Sequence, residues 1–316
     1  MMTTTTTPSA TTPRTALFEH LIDDAGLFPP AQLAMDAALK ENAKNRAGTF
    51  RWVMGRFVVP ASRLDELASA KSNAATPLKL TVILDGPGLA PRWIDGVRSD
   101  VERAFNVGKA NADALAIESF EVRLPPTADA ALIADLCTTV AERFPQPSIA
   151  VEIPFAKTWA IAPGTAFAML RDARANAPHL IAKLRCGGTV ADAFPNATQL
   201  ANAIAEAHRN GVPFKATAGL HHPLRSQVGA FEMHGFLNVL TAALAVAVGA
   251  SEAELAAILE EEDRKGFRLD DTYFIWRRRR FDTAAIETMR RTAFLSYGSC
   301  SFTEPISDLL HAGFLL

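Results

Sequence analysis

The sequence is poor in cysteine, with three in 316 residues (Cys137, Cys186 and Cys300) and no CxxC pair. An odd, sparse count argues against a disulfide framework or a zinc site and fits a reducing cytosol. It also lacks an excess of charge of either sign: the formal net charge is −2 and 21% of residues are charged. Such a balance offers no broad basic surface for nucleic acid. No apolar run is long enough to span a bilayer. The most apolar stretch, 236–250, stops short of that length and reads as a core helix or a contact between subunits. No GxGxxG follows the first predicted strand and no Walker A sequence occurs, which argues against dinucleotide and P-loop sites. Residues 1–14 lack the basic start and apolar core of a secretory leader. Their Thr/Pro/Ser/Ala composition predicts a disordered tail. The expectation is a cytoplasmic protein that binds neither nucleic acid nor membrane, with homo-oligomerisation open.

What is present is alternation. The chain is 49% hydrophobic, and its apolar residues switch repeatedly between strand-like and helical spacing. Two helices are predicted over 15–45, broken at Asp24-Ala25-Gly26-Leu27-Phe28-Pro29-Pro30. Strands are then predicted at 50–60, 78–85, 115–124, 148–155, 180–186, 213–219, 267–276 and 293–297, with helices between them. Eight short strands alternating with helices predict an α/β fold, a (β/α)8 TIM barrel formed as one domain over 15–316, with helices 15–45 as an N-terminal extension. An open doubly wound sheet is the alternative.

In such a barrel alternate strand residues point inward, and the site lies at the C-terminal ends of the strands. Period two groups Lys183 with Arg185, and Lys215 with Thr217 and Gly219. It also points to Glu152, and to either Glu121 with Arg123 or, in the opposite phase, Glu118. A buried lysine needs a reason: either a structural bridge, such as Glu152 with Lys183, or a function. His221 and His222 point in opposite directions if extended, so at most one enters the site, and His221 is the candidate. Gly187-Gly188 and Gly298-Ser299 precede helices. They either hold an anion at helix N-termini or simply make tight turns. The run Arg277-Arg278-Arg279-Arg280 reads as a solvated face, and Cys186 and Cys300 as small buried residues.

The stretch Lys215-Ala216-Thr217-Ala218-Gly219, on the sixth predicted strand, resembles the Schiff-base strand of the deoxyribose-phosphate aldolase group. That resemblance implies an aldolase-type barrel and an iminium at Lys215. The group carries its second lysine on the following strand, whereas the extra lysine here, Lys183, is on the preceding predicted one. Burial and a second cation would lower the amine's pKa. A neutral amine can attack a carbonyl, and the iminium stabilises an adjacent carbanion. Glu152 or His221 would move protons, while Arg185 and Thr217 would hold the substrate. The expected activity is a carbon–carbon lyase acting on a small anionic carbonyl compound, a sugar phosphate or keto acid, with no cofactor. Two alternatives remain open. One is a divalent-metal lyase or isomerase with Glu152, Asp85, Glu121 and His221 as ligands. The other is a non-catalytic binder of a sugar acid or phosphate.

Overall fold

The structure, a computed structural model, describes residues 11–70, 76–86, 92–153, 162–188, 190, 193–229 and 231–316. Helix α1 (Pro13–Phe18) opens with Thr12 as its N-cap and leads into the short strand β1 (Ile22–Asp24). Helix α2 (Met35–Ala47), strand β2 (Met54–Pro60) and helix α3 (Leu64–Ala70) follow. The chain then alternates through β3 (Leu78–Ile83), α4 (Trp93–Ala110), β4 (Leu115–Arg123), α5 (Ala130–Ala141), β5 (Ser148–Ile153), α6 (Pro163–Ala173), β6 (Leu180–Arg185), α7 (Ala197–Arg209) and β7 (Phe214–Thr217). A hairpin of β8 (Ser226–Val228) and β9 (Phe231–Met233) precedes helices α8 (Phe236–Ala247) and α9 (Glu252–Leu259). A small antiparallel sheet is built from β10 (Phe267–Leu269), β11 (Tyr273–Trp276) and β12 (Arg279–Asp282). Helix α10 (Thr283–Thr292), strand β13 (Phe294–Ser299) and helix α11 (Thr303–His311) complete the chain.

Strands β1 to β7 and β13 close into a parallel barrel in the order β1-β13-β7-β6-β5-β4-β3-β2. The eight-strand α/β expectation holds, but one of the eight strands is not the one predicted. The barrel's first strand is β1, in a stretch whose Leu17, Phe18, Leu21 and Ile22 read as helix. Helix α1 stops at Phe18, His20 adopts a φ of 50°, and Ile22 pairs with both Tyr297 and Met54. Conversely, the strand predicted at 267–276 lies outside the barrel. It is two strands joined by a turn in which Asp270 Oδ1 accepts from the amides of Thr272 and Tyr273. Phe267, Phe274 and Phe281 stack along the buried face of that sheet. Recounted, Lys183 stands on the sixth barrel strand and Lys215 on the seventh.

Residues 1–10 of the expected tail lie outside the described residues, whereas Pro13 and Arg14 belong to α1, where Arg14 Nε donates to Phe314 O at 2.9 Å. The apolar helix α8 is core: every residue over 236–246 is buried, and Phe236 stacks on Tyr297 at 5.0 Å. Its helical turns begin at Phe236, because 231–233 are spent on β9. Among the described residues no helix is long and apolar enough to cross a membrane.

Candidate active site

Parallel pairing places the charged residues in rows across the inner wall. Arg123 is level with Glu152, Glu152 with Lys183, and Lys183 with Lys215. Lys215 Nζ lies 2.6 Å from Asp23 Oδ2 and 2.6 Å from Glu121 Oε1. Lys183 Nζ lies 2.6 Å from Glu121 Oε2 and 3.1 Å from Glu152 Oε2, and Arg185 Nη1 is 3.7 Å from Glu152 Oε1. Cations and carboxylates thus alternate from Asp23 to Arg185. Ser296 Oγ donates to Asp23 Oδ2, and the amide of Arg56 donates to Asp23 Oδ1. Pairing places Glu121 on the inner wall beside the lysines, while Glu118 stands at a register shift in β4 and pairs instead with Arg56 and Lys79, each at 3.0 Å. Asp23 had no place among the expected site residues. The only signal for it was an acidic pair, Asp23-Asp24, directly after apolar Ile22.

The lysines are almost fully buried, and leaving either unpaired there would cost several kcal/mol, of order 3–5. Burial works to discharge Lys215, but Asp23 and Glu121 outweigh it and hold the ammonium up to about 12. Burial likewise opposes the charge on Lys183, and Glu121 and Glu152 raise its pKa nonetheless. Glu121 is the counterpart: burial would raise it, yet the two lysines bring it down to about 2. Glu152 is lowered in the same way, against burial, by Lys183 and Arg185. The expected depression of the lysine pKa is therefore reversed in the resting site, because each amine has two carboxylates and only one cationic neighbour.

Above these rows a cavity of about 870 Å³ opens at the C-terminal ends of the strands. Its wall includes Glu121, Glu152, Lys183, Arg185, Thr217 and His221, and the glycines Gly188 and Gly298. Lys215 and Asp23 do not line it and form a layer beneath. His221 presents Nδ1 to Glu304 Oε2 at 3.4 Å and to Cys300 Sγ at 3.8 Å, while His222 turns to Asp308 at 2.7 Å. The turn after β7 is forced. Ala218 and Gly219 both have positive φ (59° and 70°), and Gly187 packs so closely on Gly219 that a Cβ on it would lie 2.8 Å from the Gly219 Cα. Gly187 is thus part of a close approach between two loops and does not line the cavity. Ser299 is also off the wall, since its hydroxyl donates to Ser301 O at 2.7 Å.

Cys186 is fully buried with its thiol pushed up to about 12 by burial, as befits a packing residue. Of the arginine run, Arg277 pairs with Glu261 and Arg279 with Glu254, on and beside the β10–β12 sheet. The set considered for a metal is dispersed. Asp85 accepts from the amide and hydroxyl of Ser62, His221 meets Glu304, and Glu121 and Glu152 share Lys183. Among the described residues no three His, Cys, Asp or Glu side chains converge as metal ligands.

No protein-family model matches the chain, and no curated protein matches it in sequence. Among solved structures, a chain described as "QR15, an Aldolase" matches with a TM-score of 0.51 and 11% identity, over 95% of this chain and 98% of that one. The shared feature is the fold, and the chain is similar to an aldolase-type TIM barrel.

Proposed function

We propose that the protein is a carbon–carbon lyase of the aldolase type, acting on a small anionic carbonyl compound through an iminium on Lys183. The observation that carries this reading is the lysine pair. Lys183 and Lys215 are level on the sixth and seventh barrel strands, they share Glu121, and Lys183 alone of the two reaches the cavity wall. A lysine on strand six with a second on the next strand is the layout of the aldolase group that the Lys215–Gly219 sequence resembles. The strand count supports giving the Schiff-base role to Lys183 in place of Lys215.

The amine is stored protonated, so the reaction begins with proton transfer from Lys183 to Glu152, 3.1 Å away. An anionic substrate that draws Arg185 toward itself removes one of the cations holding Glu152 down, which makes that carboxylate a better base. The free amine adds to the carbonyl carbon, the carbinolamine loses water, and an iminium remains. Electrons of the breaking carbon–carbon bond flow into the iminium to give an enamine, while His221 takes the proton of the hydroxyl on the leaving carbon. The enamine is then protonated at carbon, and water hydrolyses the iminium to release ketone and amine. Lys215 stays beneath as the ammonium that fixes Glu121.

Borohydride trapping with a panel of small keto acids and sugar phosphates, read by intact mass and peptide mapping, tests this. A reduced adduct on Lys183 is expected. An adduct on Lys215 would keep the chemistry and return the role to the seventh strand. Absence of any adduct, with turnover that a chelator abolishes, would replace this reading by the metal-dependent one.

A further inference from the structure

We infer that the substrate is a 2-oxo acid extended by a bulky apolar group, aryl or branched alkyl, and not a sugar phosphate; this rests on the lyase reading above and narrows its substrate. The first ground is how charge is distributed around the cavity. Asp23, Glu121 and Glu152 are balanced by Lys215, Lys183 and Arg185. The remaining cation on the wall is Arg123, whose guanidinium makes no hydrogen bond or ion pair among the described residues. Asp85, also on the wall, has both oxygens engaged by Ser62. A guanidinium that acts on Glu152 only at longer range, with Arg185 held loosely at 3.7 Å, matches a single carboxylate.

The second ground is what the strand-end turns offer an anion. A phosphate dianion asks for several converging amides or cations. The start of α11 is already capped, since Ser301 Oγ accepts from the Glu304 amide at 3.2 Å. Its first turn carries an acid, Glu304, which leans toward His221. Ser299 is turned into its own loop and Gly187 is closed off by Gly219. Ser299 and Gly187 are thus both turned away from an anion in the cavity.

The third ground is the rest of the wall. Its apolar part includes Phe28, Pro30, Val58, Leu84, Phe231 and Met233. The last two come from the β8–β9 hairpin, where Phe231 is stiffened by stacking on Phe194 at 4.7 Å. A volume of about 870 Å³ far exceeds a three-carbon oxo acid, and apolar lining is what an apolar ligand part would bury. A hydroxylated, doubly charged sugar phosphate would leave its polar groups unpaired against that part.

Calorimetric titration of the full chain with pyruvate, phenylpyruvate, 3-phenylpropionate and glyceraldehyde 3-phosphate tests the assignment. Phenylpyruvate should bind about 30-fold tighter than pyruvate, from burial of the ring. 3-Phenylpropionate, which cannot form an iminium, should keep most of that gain. Phe231→Ala should cut the phenylpyruvate affinity about fivefold and leave pyruvate unchanged. Arg123→Gln should weaken all three carboxylates together. Equal affinity for pyruvate and phenylpyruvate, or tightest binding of glyceraldehyde 3-phosphate, would overturn the inference. Tight phenylpyruvate binding with no borohydride adduct would support it while rejecting the iminium.

Discussion

Glu121 receives both lysines, one on each oxygen, and so couples the cavity wall to the layer beneath. Glu121→Gln removes the shared charge and leaves two buried ammoniums with one carboxylate fewer. It should cost about 3–5 kcal/mol in urea unfolding. The pH dependence has a definite sign. Glu121 titrates in the fold at about 2 against an ordinary 4.5, so its contribution is complete above 4.5 and lost as pH falls toward 2. Lys215 is raised from 10.5 to about 12, so its contribution is complete below 10.5 and lost as pH rises through 12. Thermal unfolding across the acid range should show a shallower fall in Tm for Glu121→Gln than for the unaltered protein. An unchanged acid limb would remove Glu121 from the account. Lys183→Met should abolish the trapped adduct, and survival of that adduct would exclude Lys183 as the nucleophile. At this scale the sequence was informative for Lys183, Lys215, Glu152, Glu121 and Arg185. A charge on an apolar strand stands out, and period two assigns its face. Asp23 was hidden because its strand is three residues long, too short to show any period.

Among the elements, the turn after β7 is the most constrained. A Cβ on Gly219 would meet Cys186 O at 2.7 Å, and its φ of +70° is a left-handed conformation. Gly219→Ala should therefore destabilise by about 2–3 kcal/mol and displace the lip of the cavity. Ala218 occupies the same region at +59°, a conformation that a residue with a Cβ adopts at a cost. Ala218→Gly should be neutral or stabilising by up to about 1 kcal/mol, a contrast that paired denaturation curves would read directly. The β10–β12 sheet shows where element type and element place part company. Phe267 to Trp276 is rich in strand formers and does form strands. What the run itself signals, through Asp270-Asp271, is a reversal in mid-stretch. Propensity is local, whereas membership of the barrel depends on which edges lie within reach.

Across the whole molecule, alternation sufficed to give the barrel, because each strand between β2 and β7 pairs with its neighbour in sequence. What alternation could not give was the count. A strand wrongly assigned to the barrel near the end compensated for a missed strand at the start, so eight were expected and eight occur, with one in a different place. That shift is why the lysines first seemed to sit on the wrong strands. The closing strand has a further consequence, in the time order of folding. β1 is bordered by β2 and by β13, and Asp23 meets Lys215 across 192 residues of chain. Glu121, Glu152, Lys183 and Lys215 all arrive from successive strands, so their ladder can assemble from near neighbours. The clasp by Asp23 must wait for closure, which carries a larger loop-entropy cost. Asp23→Asn should accordingly speed unfolding while leaving the refolding rate nearly unchanged, and a stopped-flow chevron with only its unfolding limb displaced would show the ring shutting last.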